Sequence, residues 1–129
     1  MKFTLSQQSI EYEIPDDWLN ETGAMNYKPN SVTYRSSLNE EYTTELKPIV
    51  ELQAPIRNEG ITWFKKERMV SLINGVLTDE KLPPIEAHLK PGESQLRVKD
   101  GFHRFYMSHA LGFKYIPLII LPYSDINEI

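Results

Sequence analysis

Cysteine is missing from this chain altogether. Its absence excludes a disulfide framework, a thiolate zinc site and a sulfur nucleophile. Long apolar runs are missing too. The longest uncharged apolar stretch, residues 115–123, is far shorter than the ~20 residues a membrane helix needs. The opening MKFTLSQQSIEYEIPDD holds no apolar run of signal-peptide length. The expectation is a cytoplasmic protein without a membrane partner. An excess of positive charge is lacking as well: 14 Lys and Arg stand against 18 Asp and Glu, a net charge of −4. That argues against unaided binding to duplex DNA, which needs a basic footprint. Internal repeats and low-complexity tracts are likewise absent.

What is present can fill a core. The 129 residues are 40% hydrophobic and include two Trp, seven Tyr and five Phe, which suits one folded domain rather than a disordered chain. Charge is unevenly placed. Residues 1–45 hold eight acidic and three basic side chains, whereas residues 46–129 hold ten acidic and eleven basic. A small anionic ligand therefore fits the second part better. We read residues 1–45 as an N-terminal extension and 46–129 as the main domain.

Alternation of Ile10, Tyr12 and Ile14 predicts a strand within residues 2–14. Pro15 followed by Asp16 and Asp17 opens a short helix over 15–20, because proline tolerates the first helical position and carboxylates suit the positive end of the dipole. Gly23 stops it. Residues 24–45 read as a polar loop with one strand near Val32–Arg35, and Pro48–Leu52 as another strand. The best helix is 65–77, where Met69, Leu72, Ile73 and Val76 recur at helical spacing. Arg68, Ser71 and Gly75 share one flank beside that face. Further strands are expected within 82–89 and 96–98, a helix over 104–111 ended by Gly112, and a buried strand over 115–121. The fold class is α/β or α+β, with a small mixed sheet and packed helices. Met69, Leu72, Ile73, Val76, Leu111, Ile116, Leu118 and Ile120 are the expected core.

The densest chemistry is Asp100-Gly101-Phe102-His103-Arg104. Gly101 permits a tight turn and close backbone approach to a ligand. The residues after it open a helix, whose free N–H groups attract anions. Arg104 can grip phosphate with two hydrogen bonds, His103 can donate to it or pass a proton, and Asp100 can cap the helix or hold a metal. The plain alternative makes Asp100 an ordinary cap, Gly101 a turn residue, and His103 and Arg104 solvated side chains. No other site competes. His103 and His109 do not share a helix face, and no nucleophile elbow, Walker loop or dinucleotide fingerprint is present.

The span 48–122 resembles the ParB/sulfiredoxin-like superfamily, the ParB N-terminal-like nucleotide-binding domains. Four pieces match in order: Pro55-Ile56-Arg57-Asn58, Arg68-Met69-Val70-Ser71-Leu72, Leu82-Pro83-Pro84-Ile85-Glu86, and the DGFHR turn followed by Ala110-Leu111-Gly112 and Ile116-Pro117-Leu118. The resemblance implies a phosphate site made by Gly101, His103 and Arg104 on one side and Arg57, Arg68 and Ser71 on the other. Its ligand would be a nucleotide or small phosphorylated molecule. Sulfiredoxins carry a cysteine where this chain has Phe102, so sulfinic-acid reductase activity is excluded. Partition-type ParB proteins have an arginine-rich turn and a following helix-turn-helix, so autonomous operator binding is not expected. Relatives with an Asp-Gly-His-His-Arg turn are small-molecule kinases. On that pattern the alternative is an Mg²⁺-dependent phosphotransferase or nucleotide hydrolase using ATP or another nucleotide, with Asp100 on the metal and Glu59 or His103 as catalytic base. A second alternative is a protein-interaction or antitoxin-like module whose contact is residues 1–45.

Overall fold

The computed structural model describes residues 1–57, 60 and 63–123. The first strands are β1 (Lys2–Leu5) and β2 (Ile10–Glu13), an antiparallel hairpin in which Phe3 faces Tyr12 and Leu5 faces Ile10. The inward side of each is apolar and the outward side polar or charged, the period-2 pattern of a half-buried sheet. The Gln8 side chain, in the connecting turn, ties the hairpin to the main body. It donates to Leu52 O (3.0 Å) and accepts from the Ala54 amide (2.8 Å). Helix α1 (Asp16–Thr22) follows Pro15 and ends at Gly23, whose φ of +82° is the left-handed cap expected there.

Residues 24–44 are irregular. The strand expected near Val32–Arg35 does not form. Val32 O instead accepts from the amides of Lys114 and Tyr115, and Ser36 makes one isolated bridge to Leu82. Pro48–Leu52 is also not a strand: β3 (Glu45–Pro48) precedes it and a single 3₁₀ turn covers Ile49–Glu51. Proline cannot donate to a ladder, and here it ends one.

Helix α2 (Lys66–Leu77), strands β4 (Ile85–His88) and β5 (Arg97–Asp100), helix α3 (Phe102–Leu111) and strand β6 (Tyr115–Ile120) complete the chain. The sheet order is β3-β6-β4-β5. β6 runs antiparallel to β3 and parallel to β4, and β5 is antiparallel to β4. This is the mixed α+β sheet expected. The path from β4 through β5 and α3 to β6 puts the start of α3 at one end of the sheet, beside the residues that lead into β4.

One apolar cluster joins every part. It includes Leu5, Tyr12, Ile14 and Leu19 from the first twenty residues, Met69, Leu72 and Ile73 from α2, and Ile116 and Leu118 from β6. Val76 and Ile120, expected in the core, are only half-buried, because they sit at the ends of their elements. No described helix is long and apolar enough to cross a membrane.

Candidate functional site

Gly101 sets the geometry of the turn. It is buried, its φ is +123°, and a Cβ there would lie 2.9 Å from Ile85 Cγ1. Both facts require glycine. Gly101 is also the cap of α3: its carbonyl accepts the Phe105 amide at 2.8 Å, and no side chain caps the helix. Asp100 is therefore not the cap. Its exposed carboxylate lies 3.4 Å from Arg104 Nη2.

Arg104 is not a solvated side chain. It is 5% exposed, and its Nη1 donates to the carbonyls of Pro83 (2.8 Å) and Pro84 (2.6 Å). The two prolines lead the chain into β4, so Arg104 braces that approach from α3. His103 is also buried, at 8% exposed, and its Nε2 accepts the Lys65 amide at 3.0 Å. The ring proton is thereby assigned to Nδ1. Burial, then the positive charges of Arg57, Arg68 and Lys65, push His103 down to about 4. At neutral pH it is an uncharged ring that caps the start of α2.

A cleft of about 290 Å³ opens beside this turn. Arg68 from α2, Asp100 and Arg104 line it, together with Asn39 and Glu86. Arg68 is exposed, and it lines the same cleft as Arg104. The cleft thus brings together three of the residues singled out by sequence. Ser71 lies elsewhere, in a shallow groove with Asn74 and Gly75. Arg57 does not line this cleft; its guanidinium lies over the Phe102 ring, 4.2 Å from the centroid. Glu59 lies outside the described residues.

Sequence reasoning missed Glu86 and Asn39. Glu86 sits opposite Asp100 in the β4–β5 register, so their side chains share one sheet face. Only strand pairing reveals that, since fourteen positions separate them. Among the described residues no group of three His, Cys, Asp or Glu is placed to hold a metal. Asp100 and Glu86 nevertheless offer the one or two carboxylates with which Mg²⁺ is usually held alongside phosphate oxygens, and in that sense they fit such an ion.

No family model matches the chain. No curated protein matches it. Among solved structures it is similar to the C-terminally truncated chromosome-partitioning protein ParB from Caulobacter crescentus complexed with CTP-gamma-S. The TM-score is 0.51 and the identity 22%, over 66% of this chain and 47% of that one. The chain thus matches about half the length of that truncated chain. At this identity the likeness is one of fold: the chain has a ParB-like fold.

Proposed function

We propose that this chain binds a nucleotide or small phosphorylated ligand, and that the anion sits in the cleft between Arg68 and Arg104. One observation carries the reading: two guanidinium groups, from two different helices, line one cleft beside the start of α3, which no side chain caps. Backbone N–H groups at a helix start and flanking arginines are complementary to phosphate. The ParB neighbour's CTP-gamma-S is consistent with a nucleotide. Residues 46–129 carry this site, with 1–45 as an extension that contributes Asn39 to its wall. The proposed setting is the cytoplasm.

A second reading is favoured by the pairing of Glu86 with Asp100 in the same cleft. In it the protein is an Mg²⁺-dependent phosphotransferase or nucleotide hydrolase. Asp100 and Glu86 would hold the ion, which would neutralise phosphate charge. His103 is neutral, but its one acceptor nitrogen, Nε2, already takes the Lys65 amide, so a role as base would need that bond to open.

The test is thermal shift against ATP, ADP, CTP, GTP and inorganic phosphate, with and without Mg²⁺. A ligand at about 100 times its dissociation constant adds roughly 2.7 kcal/mol. Arg68→Ala is the informative variant, because Arg68 is exposed and its loss leaves the fold intact. It should weaken binding by about 10- to 150-fold, the worth of a charge-assisted contact. No shift with any ligand, or binding indifferent to Arg68→Ala, refutes the site. Asp100→Asn separates the two readings: it abolishes only the Mg²⁺-dependent part of binding or turnover if Asp100 holds the ion.

A further inference from the structure

The four-stranded sheet has two edges, and they are treated differently. At β5 the edge is covered: Gln53 bridges Arg97, and the Gln53 amide donates to Leu96 O at 2.9 Å. At β3, among the described residues, no segment pairs with the outer side.

The phase of that open edge follows from its inner partner. Glu45 faces Leu118, Leu46 faces Pro117 and Lys47 faces Ile116. Pro117 has no N–H to exchange with Leu46, so the hydrogen-bonded pairs are those of Glu45 and Lys47. The next bond agrees, since the Ile49 amide donates to Lys114 O at 3.0 Å. Odd-numbered residues of this segment therefore bond inward. The N–H and C=O of Leu46, with those of Thr44 and the C=O of Pro48, point out. The Leu46 side chain is 49% exposed, and Tyr115, on the same sheet face, is 37% exposed.

We infer that β3 pairs antiparallel with β3 of a second copy of this chain, about a two-fold axis through Leu46. On that axis the two Leu46 residues exchange both backbone bonds. Each Thr44 amide reaches the Pro48 carbonyl opposite, which makes four bonds in all. Glu45 of each copy falls opposite Lys47 of the other, as a close non-hydrogen-bonded pair. Among axes centred on a residue of β3, opposite charges meet only in this register. An axis at Glu45 sets carboxylate on carboxylate, and one at Lys47 sets ammonium on ammonium. Charges and proline on an edge ordinarily deter pairing; here they deter every centring but one. The symmetry is the closed, isologous kind.

The seam is short, so self-association is weak and depends on concentration. Sedimentation velocity of the full chain over a concentration series should show mass rising toward a dimer. Hydrogen exchange of the Leu46 amide should slow in parallel. Glu45→Lys and Lys47→Glu should each weaken dimerisation by about 10-fold or more, because two pairs change sign at once. Mixing these two variants should restore it as a heterodimer, which also shows that both are folded. A chain that stays monomeric at its highest soluble concentration overturns the inference. So does a dimer indifferent to both charge reversals, or variants that fail to pair when mixed.

Discussion

His103 is a titratable ring that the fold holds in one state. Burial and the cations Arg57, Arg68 and Lys65 lower its pKa from 6.5 to about 4. The unfolded chain takes up this proton near 6.5 and the folded chain only near 4. Stability from His103 is therefore complete above about 6.5 and is lost as pH falls from there towards 4. The loss should be on the order of 2 kcal/mol. Urea midpoints at pH 7.5 and 4.5 measure it, and His103→Gln should flatten the slope. His109, also lowered by burial and by Lys114, keeps part of that slope in the variant. An unchanged slope would contradict the burial of His103. At Gly101 the expectation is steric: Gly101→Ala should cost about 1–3 kcal/mol in denaturant unfolding, from a strained φ and the contact with Ile85. The need for glycine was legible in the sequence, because a turn before a helix demands it. The engagement of His103 and Arg104 was not. Their partners, the Lys65 amide and the carbonyls of Pro83 and Pro84, are backbone groups that no residue pattern announces.

Helices proved the most readable elements. The apolar spacing of α2 placed it within one residue of its observed start, since Met69, Leu72 and Ile73 all face the core. Leu72→Ala should cost about 2–5 kcal/mol through lost transfer energy and a cavity; a loss under 1 kcal/mol would mean that this face of α2 does not pack into the core. The start of α3 was read two residues late. Phe102 and His103 looked like part of a polar turn, whereas the helix begins directly after Gly101. β3 was misplaced by three residues because its Glu-Leu-Lys pattern has charge on both sides of one leucine, the mark of an edge rather than of a core strand. α1 yields a further expectation. Trp18 is partly buried against the core, so in a Trp63→Phe background its fluorescence should resist iodide. Strong quenching would show that the indole is free.

At the scale of the molecule the acidic first part and the rest share one core. Tyr12 stacks on Phe3 and meets Phe64 and Tyr106 edge-on. Its hydroxyl also pairs with His109 Nδ1 at 2.5 Å. Removing residues 1–45 strips Leu5, Tyr12, Ile14, Leu19 and Tyr34 from that core and leaves Phe64 and Tyr106 facing water. A fragment of residues 46–129 should therefore lack a cooperative thermal transition by near-ultraviolet circular dichroism. A sharp transition close to that of the full chain would show that the extension is dispensable. This union was not legible in the sequence, where the change in charge near residue 45 looks like a boundary.

The brace from Arg104 to Pro83 and Pro84 bears on how such chains change over generations. Loss of the arginine takes the donor from the buried Pro84 carbonyl, a penalty of about 1–3 kcal/mol, while Pro83 O keeps the Tyr34 hydroxyl at 2.8 Å. Selection for folding alone is then enough to retain it, whether or not a ligand is bound. Substitutions at Arg104 should be tolerated where the Pro-Pro pair has also changed, whereas the exposed Arg68 should drift as soon as binding ceases to matter. In descendants of one ancestral sequence, Arg104 would record the ancestry of the fold and Arg68 the persistence of its use.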